Sequence, residues 1–244
     1  MRSIKVRAFH AGIASLLILA ALPAACGSAA IPLLPPDQIV AQSAQSMGRL
    51  AGFHFLIERT GAPAFLPGVE SVSLRRVEGD FIAPDKARAA VRLIAPGVIL
   101  DVQAISTEGH YWETNPVSGA WQAYPAEQGF NPAVLFAPQS GIPEILRSDL
   151  TRLTLNGVVE LEDLPGLKLY EIEGQLDGRR IFELSYGLIG PETIAVRLWI
   201  EPETFYLRRM SMAEAAAPDE EPTVWLVDLW DFGQVVEIQT PEIP

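Results

Sequence analysis

Residues 87–106 read ARAAVRLIAPGVILDVQAIS, and their periodicity decides the class of the fold. Ala87, Ala89, Val91 and Leu93 alternate with Arg88, Ala90 and Arg92; Gly97 interrupts the run, and Val98, Leu100, Val102 and Ala104 then form a second apolar set. A period of two sends successive side chains to opposite faces, so the segment is two strands, each with one apolar face. The same period occurs upstream, where Phe53, Phe55 and Ile57 alternate with His54, Leu56 and Glu58, and again in Val72-Leu74-Arg76. It resumes at His110-Tyr111-Trp112 after Glu108-Gly109, a tight-turn pair.

Further strands are expected at 153–161, 167–176, 181–186, 194–200, 205–212, 223–232 and 235–239, with polar or Gly/Pro turns at 163–166, 177–178 and 201–204. Only two helices are expected. Asp37 is an N-cap candidate for a helix over 37–50, with Ile39, Ser43, Met47 and Leu50 on one face, placed on a surface or across an opening. Pro143 opens a second over 143–153, with Ile142, Leu146 and Leu150 facing the body of the protein. Between Asn115 and Pro143 the chain is rich in Pro, Gly and aromatic residues without a period, which reads as a long loop that packs back or lines a site. Residues 214–221 are acidic but lack the spaced ligands of a calcium loop, so they read as a solvated hairpin loop. Many strands and few helices give an antiparallel sheet that must hide one face, under helices or by curling around an apolar cavity.

The N-terminus has its own chemistry. Arg2, Lys5 and Arg7 precede an apolar run over 13–22, and Pro23-Ala24-Ala25 precedes Cys26. The arrangement resembles a bacterial lipoprotein signal cut before a cysteine that receives diacylglycerol, although Pro23 stands where Leu is usual, and Ser28-Ala29-Ala30 offers a second cleavage point. The run is shorter than the ~20 residues a spanning helix needs. The expected organisation is a signal over 1–25, a short tether over 26–36 and a single domain over 37–244. With one cysteine in the chain no intrachain disulfide or Cys-rich metal site can form. Eighteen Lys and Arg against thirty Asp and Glu give a formal charge of -12, which repels nucleic acid and anionic headgroups. Membrane association is therefore expected to rest on the lipid at Cys26.

Catalytic patterns are sparse. The histidines are His10, His54 and His110, and His10 leaves with the signal, so no three-histidine metal site is available. His54 reads as an outward-facing strand residue rather than a general base, and His110 beside Glu108 permits a pair without requiring one. No nucleophile elbow or phosphate loop occurs, so neither a cofactor nor an enzyme activity is expected. Asp80, Asp85 and Lys86 read as residues that fix a turn or, alternatively, orient a headgroup. Trp112, Trp121, Trp199, Trp225 and Trp230 read as core or as rim contacts whose indole N–H needs a partner.

Six strings carry a resemblance: EGDFIAPDKARA at 78–89, YWETNPVSGAW at 111–121, FNPAVLF at 130–136, GIPEILRSDL at 141–150, WIEPETFYLRRM at 199–210 and DFGQVVEIQTPEIP at 231–244. Asp149 is inserted into an otherwise familiar run. Together they resemble the LppX/LprG-like lipoproteins of mycobacteria and relatives, whose fold is similar to the carriers LolA and LolB, over nearly all of the chain after the signal. The resemblance implies a mainly β fold with α: a strongly curved antiparallel sheet, a half-barrel covered by helices around a hydrophobic cavity. It implies a monomeric carrier of diacyl or triacyl lipids or glycolipids, anchored on the extracytoplasmic side of a bacterial cell membrane, with a membrane lipid transporter as a further partner. It supplies no catalytic constellation. Strand alternation alone selects Phe55, Ile57, Leu74, Val91, Leu93, Leu100, Val102, Ile172, Leu184, Val196 and Leu198 as cavity-facing; a one-residue slip would turn each set outward. Two rivals follow from the same residues. A core filled by side chains would make the domain a protein-binding module with an exposed apolar patch, whereas a lipid-modifying enzyme would gather ionisable residues inside.

Overall fold

Alternation of apolar and polar residues governs the backbone through most of the chain. The computed structural model describes residues 31–125, 131–216, 218–234 and 236–242. The proposed signal, Cys26 and the first part of the tether lie outside the described residues. A first helix, α1 (Pro36–Met47), is followed by β1 (Gly52–Gly61), β2 (Ala64–Leu66), β3 (Val69–Ile82), β4 (Lys86–Ala95), β5 (Val98–Thr107), β6 (His110–Thr114) and β7 (Trp121–Pro125). Two short helices, α2 (Pro132–Phe136) and α3 (Ile142–Ser148), lead into β8 (Leu150–Glu160) and β9 (Lys168–Asp177). A fourth helix, α4 (Gly178–Leu184), precedes β10 (Thr193–Ile200), β11 (Leu207–Ala213) and β12 (Thr223–Trp230).

The strands form one antiparallel sheet in the order β7-β6-β5-β4-β3-β1-β12-β11-β10-β9-β8, with β2 paired to β3. Its register aligns one apolar row across nine strands. Leu155 pairs with Ile172, which pairs with Leu198, then Met210, Val227, Ile57, Val77, Val91 and Val102. Directly paired residues share a face, so this row fixes which side is covered. All but Leu155 are buried.

The helices lie on that face. α1 packs against α3 and β8, burying Ile39, Val40, Ser43, Ala44 and Met47, so it is a core element rather than a surface helix. It starts one residue before Asp37, which lies in its first turn, where a carboxylate favours the helix dipole. α2 lies over β3, β4 and β5 and presses Phe136 between Phe55, at 4.6 Å between ring centroids, and Phe53, at 5.2 Å edge-on.

This arrangement corrects the expected architecture. The sheet does not curl or close into a half-barrel: it is open, running from β7 at one edge to β8 at the other. Its apolar face is hidden by helices and filled by large side chains such as Phe136, so burial is achieved without curvature. Three local expectations also change. Residues 181–184 are helical and 185–186 form the turn after the helix, because Asp177 caps α4 by accepting from the Arg179 N–H. The region 115–143 contains β7 and α2 rather than a bare loop. The helix expected over 143–153 stops at Ser148 and the chain turns directly into β8, while the described residues of 235–239 form no strand. The β8 edge is irregular: its pairing with β9 shifts between Thr151 and Thr154 and again between Leu155 and Gly157, and Arg152 has φ 53°.

Gly79 marks a tight point in the interior of the sheet. It pairs with Phe55 and Ala89, and a Cβ there would sit 1.9 Å from the Arg88 carbonyl oxygen, which is backbone and cannot rotate away. Gly79→Ala is expected to destabilise the fold by about 1–3 kcal/mol, the usual range for overpacking, measured as a lowered urea midpoint with the slope unchanged.

Candidate functional site

Between sheet and helices lies one small apolar pocket. Its floor is Ile57 on β1, Met210 and Met212 on β11 and Trp225 and Val227 on β12; its roof is Leu135 of α2, Ile142 of α3, Ile181 of α4 and the following residues Ser185, Leu188 and Ile189. The cavity is ≈ 20 Å³, whereas ligand pockets run to about 300–1,000 Å³. The polar lining residue Ser185 is already committed, donating from Oγ to the Phe182 carbonyl at 3.2 Å and accepting from the Ile189 N–H at 3.1 Å. No ionisable side chain lines the pocket, so its chemistry is that of apolar contact.

Glu214 ties floor to roof. One carboxylate oxygen accepts from the Trp225 indole N–H and the other from the Gly190 N–H, both at 2.8 Å. The strap after α4 is thereby held to β12 by two charge-assisted hydrogen bonds.

The sequence-selected residues fall unevenly around this pocket. Phe55, Leu74, Val91, Val102, Ile172, Val196 and Leu198 are buried on the covered face, and Leu93 and Leu100 on the same face are partly buried. Only Ile57 of the set touches the pocket. Leu184 was selected by strand alternation but belongs to α4 and is partly buried. Met210, Met212, Trp225 and Val227 were missed; nothing in a run of alternating residues shows which part of a covered face stays unfilled. Trp225 is the tryptophan at the pocket, Trp112 and Trp199 are buried, and Trp121 and Trp230 are partly exposed.

The remaining candidates lie on the outer face. His54 points away from the covered side, its ring 4.5 Å from that of Trp230, with Nδ1 at 2.8 Å from the Asp80 carboxylate. Asp80 also accepts from Arg88 Nε at 2.7 Å, so it links neighbouring strands rather than fixing a turn. His110 Nδ1 lies 3.0 Å from the Glu108 carbonyl oxygen, while the Glu108 carboxylate pairs with Lys86 at 3.4 Å. These are ladders of the kind that hold adjacent strands. Among the described residues no cluster of His, Cys, Asp and Glu could hold a metal ion.

A family model described as LppX_LprAFG lipoprotein matches residues 35–238. Among solved structures, LprF from Mycobacterium bovis is similar with a TM-score of 0.65 at 17% identity, covering 84% of this chain and 96% of that one. Lipoprotein LppX from Mycobacterium tuberculosis is similar with a TM-score of 0.58 at 15% identity, covering 83% and 97%. The LolA superfamily protein NE2245 from Nitrosomonas europaea covers 85% of this chain and 96% of its own at 12% identity, with a TM-score of 0.32. No curated protein sequence matches the chain.

Burial pushes the Asp80 carboxyl up, but hydrogen bonds from His54 and Arg88 outweigh this and hold it below the usual carboxylate range. A group depressed in the folded state contributes stability that is complete above its unfolded value, near pH 4, and is lost as pH falls through the lower folded value. Asp80→Asn is therefore expected to cost about 1–2 kcal/mol at neutral pH and to remove part of the acid-side slope below about pH 4, read from denaturant midpoints across pH.

Proposed function

The chain belongs to the LppX_LprAFG lipoprotein family, and from that premise we propose that its folded domain takes acyl chains of diacyl or triacyl lipids or glycolipids between the sheet and its helical cover. It is an extracytoplasmic, membrane-associated lipoprotein with a general role in lipid binding and transport, not an enzyme. Cys26 is the proposed lipid attachment point, with 1–25 removed as a signal and 26–36 tethering a single, monomeric domain.

The observation that carries the reading is the construction of the roof. α2 has five residues, and α3 and α4 seven each. Isolated helices shorter than about 12 residues are marginal, so all three are held by packing on the sheet rather than by their own hydrogen bonds. Lifting them widens an apolar slot floored by Met210, Met212, Trp225 and Val227, and methionine side chains repack readily around varied chains. With no ionisable group in the lining, the polar headgroup stays outside and affinity comes from acyl burial. The ≈ 20 Å³ of space in the closed state favours a second reading, in which the filled core makes the domain a protein-binding module.

Native mass spectrometry of the protein from a lipid-containing host is expected to show a stoichiometric lipid. Brominated fatty acids are expected to quench tryptophan fluorescence, and Trp225→Phe to remove at least about half of that quenching, since contact with the acyl chain occurs at the pocket. A lipid-free protein whose Trp225 is unquenched by every lipid offered would establish the second reading instead.

A further inference from the structure

Seven of the ten large apolar side chains that are exposed among the described residues gather at one pole of the sheet. The pole is where β2 turns into β3 and β4 into β5. Both turns are Pro-Gly-Val, at 67–69 and 96–98, with Gly68 and Gly97 at φ 77° and 75°. Positive φ at the residue after proline is the type II geometry, which makes a narrow convex tip. Residues 62–69 and 93–100 contain no charged side chain.

On the outer face, Phe65 pairs with Ser73, Ser73 with Ile94 and Ile94 with Ile99, forming one row across four strands. Phe65 is 48% and Ile99 62% exposed, on a face that elsewhere carries charge pairs such as Arg92 with Asp101. Val69 and Val98 sit at the tips themselves, exposed. The strap after α4 adds to the cluster: a Cβ at Gly187 would lie 3.6 Å from Pro67 Cγ and 3.5 Å from the Phe182 ring, and Phe182 and Tyr186 are both exposed.

Two arginines stand behind the tips without a carboxylate partner among the described residues. Buried Arg59 donates to the carbonyls of Leu74, Gly61 and Ala62, and Arg75 donates to the Arg59 carbonyl. The tether approaches the other pole, where the Tyr170 hydroxyl donates to the Pro32 carbonyl at 2.6 Å, beside the first residues of β9. Ten-residue strands place the two poles roughly 33 Å apart.

We propose that the apolar pole formed by the Pro67-Gly68 and Pro96-Gly97 turns and the strap after α4 docks on the surface of a phospholipid bilayer other than the one that anchors the chain. Convex, uncharged tips offer no concavity for a protein anchor residue, but they can wedge between headgroups, with Arg75 behind them at phosphate depth. The acidic turn between β11 and β12, with Asp219, Glu220 and Glu221, lies at the same pole and disfavours an anionic surface, so the fit is to zwitterionic lipid. The inference goes beyond cargo binding and does not rest on it.

The test anchors the full chain in sucrose-loaded phosphatidylcholine vesicles and measures co-sedimentation of fluorescent, protein-free phosphatidylcholine vesicles. Wild-type protein is expected to carry the second vesicles down, the double variant Phe65→Ser with Ile99→Ser to lose this at least about ten-fold, and Leu33→Ser, exposed in the tether at the other pole, to retain it. Equal co-sedimentation by wild type and double variant would overturn the proposal. So would binding by wild type only when the second vesicles contain membrane protein, or no binding at all. Urea midpoints of the same samples show that the variants are folded whether or not they bind cargo, and tryptophan quenching by brominated fatty acid separates loss of docking from loss of cargo binding.

Discussion

One row of side chains organises the molecule. From Leu155 to Val102 through Ile57, nine strands contribute one apolar residue each at matched register, and every helix lies where that row demands cover. A one-residue slip in any strand would put its apolar residue in water and turn residues of the outer face, most of them polar or charged, beneath the helices. The outer face reinforces the same register through cross-strand pairs: Asp80 with Arg88, Arg92 with Asp101, Arg76 with Glu58, and Arg209 between Asp228 and Asp163. Arg209 is largely buried, and although burial pulls its guanidinium down, the two carboxylates more than offset this and raise it above its ordinary value. The exposed pairs among these, such as Arg92 with Asp101, contribute little stability each, but at fixed spacing they discriminate against wrong pairings.

Most of the sheet was legible because period two is a direct consequence of strand geometry. It placed Phe53, Phe55 and Ile57 and the set from Ala87 to Leu93 correctly on one face. It failed at 181–186, where the alternation of Ile181 with Phe182 and Glu183 resembles a strand but the local hydrogen bonding of Asp177 starts a helix. Asn131 followed by Pro132 is a cap and first-turn signal for α2, overlooked because the helix is only five residues long. β7 carries no period because it is an edge strand with little buried surface. The absence of the curvature that the resemblance implied was not legible at all, since curl depends on how the covered face is filled, and Phe136 comes from a segment with no strand periodicity.

The pocket was equally hidden. A covered face is read from alternation, whereas an unfilled part of it depends on which side chains arrive from above. Leu135, Ile142, Ile181 and Ile189 roof the space over Met210 and Met212 without filling it, while Phe136 fills the space over Phe55. Only contacts distant in sequence decide between the two. A closed slot under short helices and a membrane-associated family are mutually consistent, because a cavity that remained open in water would expose the surface whose burial holds the fold together.

Among the described residues an open sheet leaves two unpaired borders, which in a protein concentrated on a membrane surface invites strand-by-strand polymerisation. The β8 border is interrupted by its two register shifts and the left-handed Arg152. A neighbouring copy therefore meets a kinked rail on which few consecutive hydrogen bonds can form. The irregularities of one strand thus work against edge-to-edge pairing, the route by which open sheets grow into fibres.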